Sequence, residues 1–392
     1  MRTGNHEAGT RVAAQDAADP TRRWMSSQLA ALRRDRMFMV LLCALTLFSA
    51  FAPGKIASYP RLVDWSTIAA LTGLLLLTKA VEMSGVLYRI AHWLLDRMVS
   101  KRTIALALVS LTSVLSMLLT NDVALFAVVP LTLGICKLAQ IPSTRLIVFE
   151  ALAVNAASAL TPIGNPQNLF LWQQSGVAFW QFVLQMLPLV VPMLAFLFAL
   201  TWFAFPADAV HRETEPLQAM PIDRRLLGMA LIVYVPFLVI ADLHRAGWAL
   251  AAVVAVFSLF RRRVLAAIDW GLLIVFVLMF IDLRLLASMD FVRAWMPALG
   301  LEQAAHAYWT AIAASQLISN VPAAIAVVEY SHHWRAIAFG VNVGGFGVLI
   351  GSLANLIALR MAPEPGKYLA FHAWSVPFLI VAALIGYALL HA

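Results

Sequence analysis

Residues 182–205 read "FVLQMLPLVVPMLAFLFALTWFAF", twenty-four positions without a charge, and residues 369–390 read "LAFHAWSVPFLIVAALIGYALL". About 20 apolar residues suffice to cross a bilayer as a helix, and hydrocarbon offers the backbone no other open form. Runs of this kind recur along the whole chain. Its residues are 62% hydrophobic and only 12% charged, where a soluble domain is near half apolar and a quarter charged. The fold class that follows is an all-α polytopic membrane protein. The net charge of +8 is the excess of Lys and Arg that marks cytoplasmic loops, so no nucleic-acid partner is expected. Cys43 and Cys136 both lie in apolar runs, which argues against a disulfide framework.

Residues 1–36 are polar and carry seven arginines; "MFMVLLCALTLFSAFAP" follows. The small-x-small ending resembles a cleavage site, but the polar leader is long and Pro53 would follow the cut. The reading is a mobile cytoplasmic tail and a retained first span at 37–52. With the tail inside, inner segments hold 21 of the 28 Lys and Arg, and outer ones hold five: Lys55, Arg61, Arg245, Arg293 and Arg335. Lys79 and Arg284 fall inside spans. The asymmetry sets the orientation and leaves the C-terminus outside, in the cell (inner) membrane. In this order a span at 64–82 precedes an amphipathic helix at 84–99. An apolar pair at 103–136 starts and ends inside, either as a re-entrant hairpin or as two short spans. Segments 146–175 and 179–204, a cytoplasmic linker at 206–225, and spans at 226–242, 247–260 and 269–286 come next. An outer helix at 290–300, a second pair at 303–329, and segments 335–360 and 369–390 complete the chain. In the second pair only "AAIAVVE" separates "SNVP" from the polar "YSHHWR". Seven residues rise about 10 Å, roughly a third of the hydrocarbon core, so this pair dips in and leaves on the same face.

The halves 37–205 and 226–392 repeat each other. "SMLLTNDVALFAVV" (116–129) aligns without gaps on "SQLISNVPAAIAVV" (315–328), and "NAASALTPIGNPQN" (155–168) on "NVGGFGVLIGSLAN" (342–355). Asp64-Trp65 and Asp269-Trp270 each open a span. By the charge count the copies have opposite orientation. Inverted repeats with interrupted helices at matching places are the architecture of secondary transporters. Proline and glycine free backbone groups, which is tolerable at membrane depth only where protein or a water-filled cavity satisfies them. "TPIGNPQN" and its copy are therefore read as helix breaks at 146–175 and 335–360 that line a binding site, giving about nine full spans, two hairpins and two broken helices. The candidate binding residues are Thr120, Asn121 and Asp122, with Ser158, Thr161, Gly164, Asn165 and Asn168, from the first repeat. The second supplies Ser319, Asn320, Asn342, Gly345, Gly351, Ser352 and Asn355.

These motifs, "TNDVALFAVVPLTL", "TPIGNPQNLFLWQ" and "SNVPAAIAV…GVNVGGFGVLIGSLANLIAL", resemble the ion transporter superfamily over roughly residues 60–390. That group holds arsenite permeases, divalent-anion/sodium symporters and citrate transporters, and the pattern is most similar to its poorly characterised anion-transporter branch. The resemblance implies a homodimer, elevator-type alternating access, and a small anion held between the tips Thr120-Asn121-Asp122 and Ser319-Asn320-Val321 and their partners Thr161 to Asn165 and Gly351-Ser352. It also implies a sodium site at Asn121, Asn165, Asn320 and Ser352. Dicarboxylate symporters carry Thr at the third tip position. Here Asp122 and Val321 stand there, a departure that counts against a dicarboxylate, while Asn121-Asp122 is similar to the arsenite permeases.

An intramembrane carboxylate is functional by default, so Asp122 is a carrier of a coupling proton or part of a cation site. Lys79 and Arg284, each 15 residues after its Asp-Trp, are expected to snorkel, with Glu82 and Asp282 near them. Glu150 is expected at a helix start as a dipole contact. His332 and His333 read as an outer loop without metal partners. No nucleophile–base constellation or phosphate loop is present, so the chain is not read as an enzyme and needs no cofactor beyond coupling Na⁺ or H⁺. Rival readings are a cation/proton antiporter using Asp122 and a membrane scaffold or channel.

Overall fold

The computed structural model describes residues 32–33, 35–51, 53–95, 100–139, 142–209 and 221–391. Most of the tail at 1–36 and much of the linker at 206–225 lie outside them, as do residues 96–99 of the expected amphipathic helix. Among the described residues every regular element is helical, apart from an isolated bridge between Ser100 and Ala209. This is the outcome that a solvent without hydrogen-bonding capacity imposes on a backbone.

The chain divides into two compact units. The first comprises residues 1–64 and 269–286. It holds α1 (Arg36–Phe51), α2 (Tyr59–Leu62) and nearly all of α13 (Trp270–Ala287). Within it the Arg284 guanidinium donates to the Leu62 carbonyl at 2.7 Å and lies over the Phe280 ring. Its repeat mate Lys79, in the other unit, instead pairs with Glu82 at 2.7 Å, half-exposed.

The second unit comprises residues 65–268 and 287–392. Its first part holds α3 (Trp65–Met83), α4 (Val86–Leu95), α5 (Lys101–Leu118), α6 (Asn121–Ala139), α7 (Thr144–Ser158), α8 (Pro166–Ser175) and α9 (Phe179–Ala204). Then come α10 (Arg224–Asp242), α11 (Ala246–Phe260), α12 (Arg262–Ala267) and α14 (Asp290–Trp295). The last part holds α15 (Ala304–Ile318), α16 (Asn320–Val328), α17 (Trp334–Val343), α18 (Leu353–Met361) and α19 (Lys367–His391). Among the described residues six helices, α3, α5, α9, α10, α13 and α19, are long and apolar enough to cross a membrane by themselves. The apolar α11, with 15 residues, rises about 22 Å and is short for a span.

Packing within this unit follows the repeat. α7 lies against α5, α6 and α9, and its mate α17 lies against α15, α16 and α19. α6 packs on α18, and α16 packs on α8. Each hairpin therefore sits on its own broken helix and on the second half of the other one. The two broken helices meet at the centre of the unit, and α7 is buried along almost its whole length.

Start signals are local in some helices and remote in others. Ser100 and Thr103 form a capping box on α5, with Oγ of Ser100 accepting from the Thr103 N–H at 3.2 Å. α7 has no side-chain cap from Ser143. Its N-terminus is held by Glu364, from the loop between α18 and α19. The Glu364 carboxylate accepts from the N–H of Ser143 at 2.6 Å, the Ser143 hydroxyl at 2.9 Å and the N–H of Thr144 at 2.8 Å. Burial alone would raise this carboxyl, but the hydrogen bonds from Thr144 and Ser143 outweigh it and hold the group below the ordinary range. The dipole role expected of Glu150 is thereby corrected. Glu150 lies nearly two turns into α7, fully buried, beyond the first turn to which a terminus effect extends. Its Oε1 accepts from the Thr132 hydroxyl of α6.

Candidate functional site

The second limb of hairpin α15–α16 begins at Asn320 itself and has nine residues, two more than the sequence count. That is still about 13 Å of rise, less than half the hydrocarbon thickness. Hairpin α5–α6 is longer, with limbs of 18 and 19 residues. It turns against the interruption in the first broken helix: the Asn121 N–H donates to the Gly164 carbonyl at 2.9 Å, and the Thr161 hydroxyl donates to the Met117 carbonyl at 2.7 Å. The turn between α5 and α6 is thus docked on the helix break.

The breaks occupy the residues between α7 and α8 and between α17 and α18. Both second half-helices begin with a side-chain cap at equivalent positions in extended conformation. Asn165 accepts from the N–H of Asn168 at 2.9 Å, and Ser352 accepts from the N–H of Ala354 at 3.3 Å. The residue before each cap is glycine. A Cβ on Gly164 would collide with the carbonyls of Ser158 and Ser116, and one on Gly351 with those of Gly344 and Phe346. Glycine is required at both places because backbone passes where a side chain would begin.

Four asparagines tie the breaks together. The Asn155 amide donates to Oδ1 of Asn355 at 2.7 Å, and the Asn342 amide donates to Oδ1 of Asn168 at 2.7 Å. Asn155 and Asn342 are repeat mates, as are Asn168 and Asn355, so the pairs cross. Parallel neighbours would bring like positions together, so crossing identifies the two broken helices as antiparallel. Asn165 adds a bond to Oδ1 of Asn342 at 3.0 Å and one to the Ser158 hydroxyl at 3.1 Å. The same asparagines satisfy the interrupted backbone: Asn168 donates to the carbonyls of Ala159 at 3.0 Å and Thr161 at 3.2 Å, and Asn355 donates to that of Gly345 at 2.9 Å.

The tips complete the cluster asymmetrically. Thr120 and Asn121 are buried, Asp122 stands in the first turn of α6, and its N–H donates to Oδ1 of Asn121 at 3.0 Å. Thr120 Oγ1 is buried without a hydrogen-bond partner among the described residues. Across the repeat, Ser319 has φ 76° and ψ 156°, a strained conformation for any residue but glycine. Asn320 is buried, with its amide beside Gly345. Among the described residues it shares no hydrogen bond with Ser352, whereas the Asn121 N–H bonds to the carbonyl of Gly164, next to Asn165.

One member of the cluster was not legible in the sequence. Gln316, in α15, donates to the carbonyls of Gly344 at 2.7 Å and Phe346 at 3.1 Å and accepts from the N–H of Val348 at 2.9 Å. Its mate is Met117, whose side chain has no such capacity. The polar Gln opposite Met in an otherwise matched repeat is the signal that could have found it.

Comparison with known proteins agrees with this architecture. Residues 24–336 match the family described as "Citrate transporter". The chain is 44% identical over 362 residues to the inner membrane protein YbiR of Escherichia coli, covering 92% of this chain and 97% of that protein. It is 32% identical over 306 residues to an uncharacterized transporter of Methanocaldococcus jannaschii, covering 77% and 82%. An uncharacterized transporter of Mycobacterium bovis is 26% identical over 360 residues, covering 82% and 84%.

Proposed function

The chain belongs to the citrate transporter family and is a membrane transporter; from that premise we propose that it moves a small anion by secondary active transport, coupled to Na⁺ or H⁺. The observation that carries the reading is the pair of crossed asparagine bonds, Asn155–Asn355 and Asn342–Asn168. They hold two half-helix N-termini, at Asn165 and Ser352, at the antiparallel breaks. Such termini favour negative charge, and the interrupted carbonyls favour a cation. An anion and its coupling ion are thus served by one cluster.

Antiparallel, repeat-related halves support alternating access, because exchanging the roles of two similar halves yields a second state of similar energy. The family description makes carboxylates the first anions to test. Asp122 and Val321 stand where a hydroxyl would serve a second carboxylate, so a monoanion or an anion carried with a bound cation fits better than a free dicarboxylate. The orientation expected from charge places the N-terminus in the cytoplasm and the C-terminus outside the inner membrane, and the family resemblance supports a homodimer.

The test is uptake into proteoliposomes, with an anion panel and imposed sodium or proton gradients applied separately. Anion uptake driven by either gradient supports the reading; ion exchange that needs no anion would replace it with the cation/proton antiporter, which the place of Asp122 at a tip favours. Asp122→Asn separates the couplings. Under proton coupling it removes pH-driven uptake while sparing anion binding, whereas under sodium coupling it weakens the sodium dependence.

A further inference from the structure

A second polar cluster lies at the end of hairpin α15–α16 remote from its tip. Residues 329–333 lead from α16 into α17, and a cavity of about 350 Å³ opens there. Its wall is formed by His332, His333, Arg335 and their neighbours on α17, with Ala304 from α15 and Leu390 from α19. Three lining side chains carry, or can take up, positive charge, and no acidic side chain lines the cavity.

The basic groups are held in place. Arg335 lies over the Phe339 ring at 5.1 Å, which orients the guanidinium plane. Its Nε is buried and has no hydrogen-bond partner among the described residues. The imidazole of His333 is tied through Nε2 to the Glu302 carbonyl at 2.6 Å; a carbonyl only accepts, so Nε2 is the donor. Both histidines are exposed. α17 starts here with no side-chain cap, so first-turn N–H groups, those of Arg335 and Ala336 among them, have no side chain assigned to them.

A cation would meet like charge in this cavity, and an apolar occupant would leave its basic lining without a counter-charge. A tetrahedral oxyanion matches both the guanidinium fork and a helix N-terminus. We propose that the cavity is an oxyanion site for a phosphate group, separate from the cluster at the breaks. By the charge-derived orientation it opens on the outer face. The phosphate can belong to a soluble ion or to a lipid headgroup, since Leu390 and Ala304 supply an apolar flank for acyl chains.

The full chain, purified in detergent, is titrated by thermal melting with inorganic phosphate. Parallel arms use short-chain phosphatidylglycerol and phosphatidylcholine. The expected result is a saturable rise in melting temperature with phosphate or phosphatidylglycerol, absent with phosphatidylcholine. Arg335→Gln should raise the midpoint at least tenfold, and Asn320→Ala, at the other site, should leave it unchanged. A response to phosphate assigns a soluble ion, and a response to phosphatidylglycerol alone assigns a lipid. If Arg335→Gln does not fold, His332→Gln, at an exposed position, should weaken the midpoint several-fold. No saturable response to either probe overturns the proposal. So does wild-type titration by Arg335→Gln, or by His332→Gln where Arg335→Gln does not fold.

Discussion

Asn155 and Asn355 lie 200 residues apart and share a hydrogen bond of 2.7 Å, with the Asn155 amide as donor. The repeat mates of the two, Asn342 and Asn168, make the same bond in the opposite sense at the same distance. Self-complementary pairing of this kind is what a twofold relation between two copies produces. Because the two bonds cross, together they fit one register of the breaks and their antiparallel sense.

The coupling between these amides is measurable. A double-mutant cycle with Asn168→Ala and Asn342→Ala, read by equilibrium unfolding in detergent, should give an interaction energy of about 0.5–2 kcal/mol. Strictly additive losses would mean that the bond does not hold the breaks together.

The tips should govern binding rather than folding. Asn121→Ala and Asn320→Ala are each expected to abolish thermal stabilisation by the transported anion, but not that by phosphate at the α17 cavity, while expression and oligomeric state persist. A wild-type ligand response in both variants would remove the tips from the site.

Gln316→Leu removes three hydrogen bonds to the second break and leaves the carbonyls of Gly344 and Phe346 to find other partners. The expected cost is about 1–3 kcal/mol, accompanied by faster modification of a cysteine placed at Val348. Met117→Leu, at the mate position, should do neither. Equal sensitivity at the two positions would show that Gln316 has no special part in holding the break.

Glu364 links the second repeat to the start of α7, and its effect depends on pH. Its folded-state pKa lies below the ordinary value. Its stabilising contribution is therefore complete above the unfolded-state pKa, near 4.5, and is lost as pH falls through the lower folded-state value. Glu364→Ala should melt earlier than the wild type at pH 7, by the equivalent of about 1 kcal/mol for a lost helix cap. The two curves should converge as the pH falls through that folded-state value. A gap that is constant from pH 3 to pH 7 would rule out an ionised cap.

Orientation is tested with single cysteines after replacement of Cys43 and Cys136. A cysteine at His332 should react with an impermeant reagent from outside the cell, and one at Lys137 only from the cytoplasm. Labelling on the reverse sides would refute the orientation drawn from the positive charges.

Much of the architecture was legible in the residues alone. The apolar runs had to become helices because hydrocarbon leaves the backbone no other way to satisfy its polar groups. Pro162, Gly164 and Pro166 had to interrupt one of them, and the gapless match to residues 342–355 repeated that interruption. Helix boundaries followed closely, as at 179–204, where expected and observed ends coincide. What the sequence could not contain was the choice of partners. Glu150 read as a helix-start residue because the start of α7 was placed by pattern, and its burial against Thr132 is a fact about α6. Glu364 and Gln316 carry no local signature either, since each acts on backbone that packing brings to it from 28 to 221 residues away. Repetition of the breaks was determined by the sequence because helix interruption is a local property of proline and glycine. The crossing of their asparagines was decided only by the tertiary structure, because a hydrogen bond depends on where two remote segments are placed relative to each other.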